Sequence, residues 1–254
     1  MRVQLIVPCY NEAARLQPAA FLDLVASSPD TDLLFVDDGS RDGTAALLAD
    51  LAAQRPSRIS VLTRPVNTGK AEAIRVGFLD AFTRQSEFVG YWDADLATPL
   101  TALGDFVAVL ESNPHSDIVM GSRVKMLGRD IRRSAFRHYF GRAFATAASL
   151  ALGVGVYDTQ CGAKVFRVTD VIRRSFDEPF ASSWLVDVEV LARYIGALGP
   201  AAADTRICEV PLRTWTDVPG SKLHLWQAVR AIGEVAFVAC RARSQRSRHR
   251  TPVL

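Results

Sequence analysis

Cysteine is scarce and scattered: four in 254 residues, at positions 9, 161, 208 and 240, with no Cys-x-x-Cys. That spacing argues against a zinc knuckle or a disulfide framework and points to reduced thiols in a cytoplasmic protein. Charge of one sign is lacking too. Thirty basic against 27 acidic residues leave a net charge of +3, too small to suggest a nucleic-acid binder. No uninterrupted apolar stretch reaches the ~20 residues of a membrane-spanning helix. The chain runs at once into the strand-like Val3-Gln4-Leu5-Ile6-Val7, so no signal peptide is expected. The Gly-x-x-x-x-Gly-Lys-Ser/Thr spacing of a P-loop is missing. No Gly-x-Gly-x-x-Gly follows the first strand, which disfavours a dinucleotide-binding Rossmann domain.

What is present is core. With 49% apolar residues, one large α/β domain over residues 1–240 is expected, followed by a basic tail over 241–254. Apolar strands alternate with helix-period segments in the first half, the pattern of successive βαβ units and a mostly parallel sheet. The spacing predicts strands at 3–7, 33–36, 59–62, 88–92 and 117–120. It predicts helices near 13–26, 44–53, 70–82 and 101–111.

The polar residues cluster where each strand ends. Tyr91-Trp92-Asp93-Ala94-Asp95 closes the fourth strand with two carboxylates, able to share a hard divalent cation that also holds a diphosphate. Thr98 and Pro99 suit the N-cap and first position of the next helix. After the first strand comes Pro8-Cys9-Tyr10-Asn11-Glu12. There Pro8 stiffens the loop, Tyr10 offers a flat face to a base, and Glu12 can accept from a hydroxyl. After the second, Asp37-Asp38-Gly39-Ser40 places a carboxylate at Asp38 for the imide of uracil or the edge of guanine, and Asp42 can cap the next helix. After the third, Asn67-Thr68-Gly69-Lys70 sets a lysine at a helix start, a place suited to an anion.

These four motifs, in order and each after a strand, resemble the inverting glycosyltransferases of family 2, with the GT-A fold. The resemblance implies a Rossmann-like, mostly parallel central sheet flanked by helices, and a nucleotide-sugar donor. It implies that Pro8, Tyr10, Glu12, Asp38, Lys70 and Asp93 hold the donor, and that Asp93 and Asp95 hold Mg²⁺ or Mn²⁺.

In the second half a basic run (Arg123, Lys125, Arg129, Arg132, Arg133, Arg137, Arg142) is opposed by Asp130 alone. Beside it, 131–152 reads as an amphipathic helix. Its apolar face could pack in the core or lie in a membrane interface. Further on come Gly121-Ser122-Arg123, Asp158-Thr159-Gln160-Cys161-Gly162-Ala163-Lys164, Trp184-Leu185-Val186-Asp187-Val188-Glu189 and Gly220-Ser221-Lys222. Over roughly 3–240 the chain is similar to dolichyl-phosphate β-glucosyltransferases and bacterial polyprenyl-phosphate relatives. That closer resemblance implies UDP-glucose as donor and a polyprenyl monophosphate as acceptor, with Arg123, Arg133 and Arg137 holding the acceptor phosphate. Lys222 could close over phosphates from a loop beginning at Gly220, or merely sit exposed. Two departures stand out: no N-terminal anchor like that of eukaryotic members is expected, and Val186 replaces a frequent phenylalanine.

Asp187 and Asp158 are the candidates for a catalytic base. Asp187 could equally cap the helix that carries Glu189, and Asp158 could brace the Gln160 loop. The chain is expected to end in an apolar, amphipathic helix near 223–240 and a basic 241–250 stretch, which is a disordered solvated tail or, beside that helix, a contact for anionic lipid. The expected whole is a metal-dependent enzyme lying peripherally at the inner, cytoplasmic face of a membrane, with no nucleic-acid partner. A soluble enzyme with a hydroxyl acceptor and a non-catalytic nucleotide-sugar binder are the rivals.

Overall fold

The computed structural model describes residues 1–132, 135–183 and 185–218, with the side chains of 135–138 outside that description. Seven strands form one sheet in the order β3-β2-β1-β4-β7-β5-β8. They are β1 (Val3–Cys9), β2 (Thr31–Asp38), β3 (Ile59–Arg64), β4 (Phe88–Trp92), β5 (Ile118–Ser122), β7 (Ala163–Arg167) and β8 (Ile207–Pro211). All run parallel except β7, which is antiparallel to both β4 and β5. A small ribbon pairs β6 (Asp130–Arg132) with β9 (Thr214–Thr216).

Four helices alternate with the first strands: α1 (Pro18–Ser27), α2 (Thr44–Gln54), α3 (Lys70–Ala81) and α4 (Ala102–Ser112). Then come α5 (Ala135–Leu152), α6 (Asp170–Asp177), α7 (Val186–Leu198) and α8 (Pro200–Asp204). The period of two in each strand divides the core. Ile6, Leu34 and Val36 pack with α3, α6 and α7, while Leu5, Val7, Leu33 and Phe35 pack with α1, α2 and α4. The expected mostly parallel α/β sheet is therefore present. The order reverses direction between β1 and β4, the switch point where open α/β sheets bind ligands.

Three local expectations are corrected. α4 begins at Ala102 with Thr101 at its N-cap, not at Thr98 and Pro99. The carbonyl of Thr98 instead accepts the Trp92 indole N–H at 2.8 Å, which holds the intervening segment as a turn. Ile131 lies in β6, so the helix predicted from that residue starts at Ala135. Pairing of 130–132 with β9 outcompetes helix propagation there. Finally, α5 buries Phe144, Ala148 and Leu152 in the core, with Phe140 partly buried against it, while Tyr139 and Ala143 are exposed. The four core residues recur every fourth position, so the core-packing reading holds for that stripe.

No described helix is long and apolar enough to cross a membrane. The predicted C-terminal apolar helix, the basic tail, Arg133 and Lys222 lie outside the described residues. Arg137 lies within α5, with its side chain outside the description.

Aromatic rings weld the α3–α6 side of the core. Phe78 and Phe176 stack at 3.8 Å between centroids, and Phe166 of β7 meets Phe176 edge-on at 5.8 Å. Both Phe78 and Phe176 are fully buried. Phe176→Ala is expected to cost about 3–5 kcal/mol through lost transfer energy and the cavity left behind. Urea unfolding of the variant against wild type measures it as a fall in midpoint at unchanged slope.

Candidate active site

The site forms along one edge of the sheet. Asp93 and Asp95 follow β4, Arg123 follows β5, and the Asp158–Gly162 loop enters β7, whose reversed direction brings its start to the same edge. Lys70 opens α3 and Asp187 stands in the first turn of α7. These side chains share one cavity of about 250 Å³.

The geometry begins with close backbone approach. The Asp93 N–H donates to the Gly162 carbonyl at 2.9 Å, extending the β4–β7 ladder past its last paired residues. A Cβ on Gly162 would lie 1.9 Å from Asp93 Oδ2. Only glycine lets that carboxylate sit against the loop. The Lys70 ammonium is 2.5 Å from Asp93 Oδ1. Burial lowers the Lys70 pKa, but Asp93 and then Asp187 outweigh it, so the net direction is up. Asp95 Oδ1 accepts the Ala97 N–H at 3.1 Å. Burial, then the charge of Asp93, push the Asp95 carboxyl above its ordinary range. Glu12 is raised as well, by burial first; Arg15 at 2.5 Å opposes the shift, and Asp95 and Asp93 add to it.

Three carboxylates thus raise the negative potential at this corner. Among the described residues no cluster of three or more metal-ligating side chains is present. The donor set is two hard oxygen ligands beside an open cavity. That suits a Mg²⁺-like ion, which commonly takes one or two carboxylates and completes its shell with water and substrate phosphates.

The second half of the site is cationic, and its cations are already paired. Arg123 grips Asp158 through Nε at 2.6 Å and Nη2 at 2.7 Å, and its backbone N–H adds a third bond at 3.0 Å. Its guanidinium lies 5.3 Å from the centre of the Trp215 ring. Asp158 Oδ1 also accepts the Gln160 N–H, so bracing of the Gln160 loop is present. Beneath the cavity Lys164 is fully buried. Its ammonium donates to the carbonyls of Thr159 at 3.0 Å and Cys161 at 2.7 Å, and it forms an ion pair with Asp187 Oδ1. Tyr91, directly opposite Lys164 in the ladder, donates its hydroxyl to the same Asp187 oxygen. Burial, then the charge of Asp187, hold the Tyr91 hydroxyl well above its usual pKa.

Of the donor candidates, Tyr10 is exposed, Pro8 is half-buried, and Glu12 stands at the start of the loop after β1. Asp38 is different. Its carboxylate accepts from Arg64 at 3.0 Å, from the Thr68 N–H at 3.1 Å and from the Gly69 N–H at 2.8 Å. It therefore braces the turn that launches Lys70, and a base could reach it only by displacing one of these donors. Asp42 accepts the Thr44 N–H at 3.0 Å at the start of α2.

Lys164, Tyr91 and Gly162 lie within motifs quoted from the sequence but were given no role there. A signal for Lys164 existed: a lysine inside the apolar run Ala163-Lys164-Val165-Phe166 must be paired if the strand is central. Lys164→Met is expected to cost about 3–5 kcal/mol, because it strands a buried Asp187 charge, and Lys164→Met/Asp187→Leu should recover most of that loss. Chemical denaturation of the two variants, with circular dichroism to check the fold, measures both values.

Comparison with known proteins agrees with this architecture. The model of glycosyl transferase family 2 matches residues 4–173. A dolichyl-phosphate beta-glucosyltransferase of Dictyostelium discoideum is 32% identical over 87% of this chain and 68% of its own length. One of Trichomonas vaginalis is 29% identical over 87% of this chain and 65% of its own. The chain thus spans about two thirds of the length of these curated relatives. Among solved structures, mannosyl-3-phosphoglycerate synthase from Rubrobacter xylanophilus is 18% identical with a TM-score of 0.69, covering all of this chain and 78% of that one. Glucosyl-3-phosphoglycerate synthase from Mycobacterium tuberculosis, in complex with Mn²⁺, UDP and glucosyl-3-phosphoglycerate, is also 18% identical. Its TM-score is 0.65, over 95% of this chain and 79% of that one. The fold is GT-A, and the chain belongs to glycosyl transferase family 2.

Proposed function

We propose that this glycosyltransferase moves glucose from UDP-glucose to a polyprenyl monophosphate at the cytoplasmic face of a membrane, giving a β-linked lipid-phosphate sugar. The observation that carries the proposal is the shared cavity, with the Asp93–Asp95 carboxylates and the Arg123 guanidinium both in its wall. One part suits a cation-bound diphosphate, the other a second phosphate. The names of the curated relatives support the acceptor and the sugar. The Mn²⁺ and UDP in the mycobacterial synthase support the donor and a divalent ion.

In this reading Pro8, Tyr10 and Glu12 hold the nucleoside, while Asp38 acts by holding the Thr68–Gly69 turn. Asp93 and Asp95 would hold Mg²⁺ or Mn²⁺, which when bound supplies Lewis-acid neutralisation of the diphosphate leaving group. Lys70, ion-paired to Asp93, adds a fixed positive charge beside the same oxygens. Arg123 orients the acceptor phosphate, with Arg133, Arg137 and Lys222 assigned to the same task.

A phosphate oxygen attacks the anomeric carbon as the bond from that carbon to the UDP oxygen breaks, so the α-linked donor gives a β-linked product. No proton needs to be taken from the nucleophile. A phosphate monoester has a second pKa near ~6 and is largely dianionic at neutral pH. The state of the two base candidates supports this economy: Asp158 is clasped by Arg123, and Asp187 by Lys164 and Tyr91. Both carboxylates set the charge and position of neighbouring cations, and catalysis rests on alignment and electrostatics. A hydroxyl acceptor would need one of them freed, because a sugar hydroxyl must lose a proton.

Radiolabel transfer from UDP-glucose into organic-extractable lipid, with polyprenyl phosphate and Mg²⁺ or Mn²⁺, tests the proposal. Label in a mild-acid-labile lipid is expected, lost with EDTA and reduced roughly 100-fold or more in Asp95→Asn. Transfer only to a soluble hydroxyl acceptor would sink the lipid reading and return Asp187 or Asp158 to the role of base.

A further inference from the structure

Between β5 and β6 the chain leaves the cavity wall and comes back to it. It departs at Arg123, which lines the cavity, and rejoins in β6, whose partner strand β9 carries the cavity residue Trp215. At the tip, Met126–Arg129 form a turn closed by the Arg129 N–H donating to the Met126 carbonyl at 3.2 Å. Gly128 provides the left-handed residue this turn needs, at φ +78°.

The composition of the tip is unusual for an exposed turn, where small polar residues are the rule. Leu127 is 101% exposed and Met126 49%. Lys125 and Arg129 flank them, and among the described residues neither makes an ion pair. The nearby Asp130 is taken up by Arg132 at 3.1 Å. An apolar tip collared by uncompensated cations is complementary to one kind of surface, an acyl layer topped by anionic headgroups.

We propose that this turn docks the protein on an anionic bilayer, with Leu127 and Met126 in the acyl boundary and Lys125 and Arg129 on lipid phosphates. Chain length sets the consequence. Leu127 is four positions on from Arg123, a span of at most about 14 Å when extended, and interfacial apolar groups sit about 5–10 Å deep. Docking therefore holds Arg123 at the level of the headgroups, where a lipid-borne phosphate can enter the cavity. This use of the surface rests on the lipid-acceptor reading; the surface itself rests on exposure and charge.

Sedimentation of the full chain with acceptor-free vesicles, of phosphatidylcholine with or without phosphatidylglycerol, tests it independently of turnover. Wild type is expected to bind the anionic vesicles, and Met126→Ser/Leu127→Ser about tenfold more weakly. Lys125→Gln/Arg129→Gln should weaken binding and flatten its dependence on salt. Leu127→Trp should add fluorescence that brominated acyl chains quench. Transfer to a short, water-soluble polyprenyl phosphate should be unchanged in the serine variant.

Failure of wild type to bind, wild-type binding by the serine variant, or an unquenched Trp at 127 would each overturn the proposal. So would an equal loss of activity toward the short acceptor, which would place the turn in the catalytic site instead. Vesicle binding without any sugar transfer would leave the docking surface standing and remove the lipid-acceptor reading.

Discussion

An ammonium group with 1% of its side chain exposed must find oxygen inside the protein or give up its charge. Lys164 finds three: Asp187 from α7 and two carbonyls from the loop that precedes its own strand. The loop holding Asp158 and Gly162 and the helix holding Asp187 are thereby tied to one point on β7. Because β7 lies between β4 and β5, the same point fixes the distance between the carboxylates after β4 and the guanidinium after β5. Tyr91 completes the set from the neighbouring strand. Such an ion pair adds little net stability compared with a hydrophobic replacement. Its use here is geometric, since it joins elements distant in sequence around the cavity.

Charge around the cavity is arranged in two layers. At one corner Glu12, Asp93 and Asp95 press on one another, and burial together with that repulsion raises the pKa of Glu12 and Asp95. Lys70 and Arg15 offset the field without cancelling it. At the other, Arg123 and Asp158 neutralise each other by a bidentate clasp over an aromatic ring. The first arrangement has charge left over for a cation. The second holds a rigid guanidinium whose remaining donors can meet an anion. Under the proposed function two phosphate-bearing substrates meet here, and keeping the two regions apart and preorganised serves both.

Much of this was legible in the chain. The alternation of apolar strands and helical segments located β1 to β5 and α2 to α4 closely, because those elements follow local periodicity, whereas α1 starts at Pro18 and not near residue 13. The polar residues after β1 to β4 could be assigned to one edge, because parallel strands present their carboxyl ends together. Legibility failed where a residue's environment is set by something distant. Thr98 looks like a helix cap, but its carbonyl is taken by the Trp92 indole. Ile131 suits a helix by pattern, but pairs with Trp215 in the β6–β9 ribbon, 84 residues on. Asp38 reads as a free acceptor, but Arg64 and the Thr68–Gly69 turn occupy it. The exposed tip at Met126–Leu127 passed for part of a basic run, since sequence does not say which apolar residues stay outside.

The sequence by itself determined the α/β class, the order of the first elements, the acidic pair at the end of β4 and the family to which the chain belongs. These depend on short-range patterns: periods of two and 3.6, turn residues, and motifs that each sit within one loop. Only the tertiary structure decided that β7 enters the sheet in reverse, that Lys164 binds Asp187 beneath the cavity, and that Arg123 is clasped by Asp158. The last two join residues 23 and 35 positions apart through a buried ion pair. The energy of such a contact depends on its distance and on the exclusion of water, and neither is written in the order of residues along a chain.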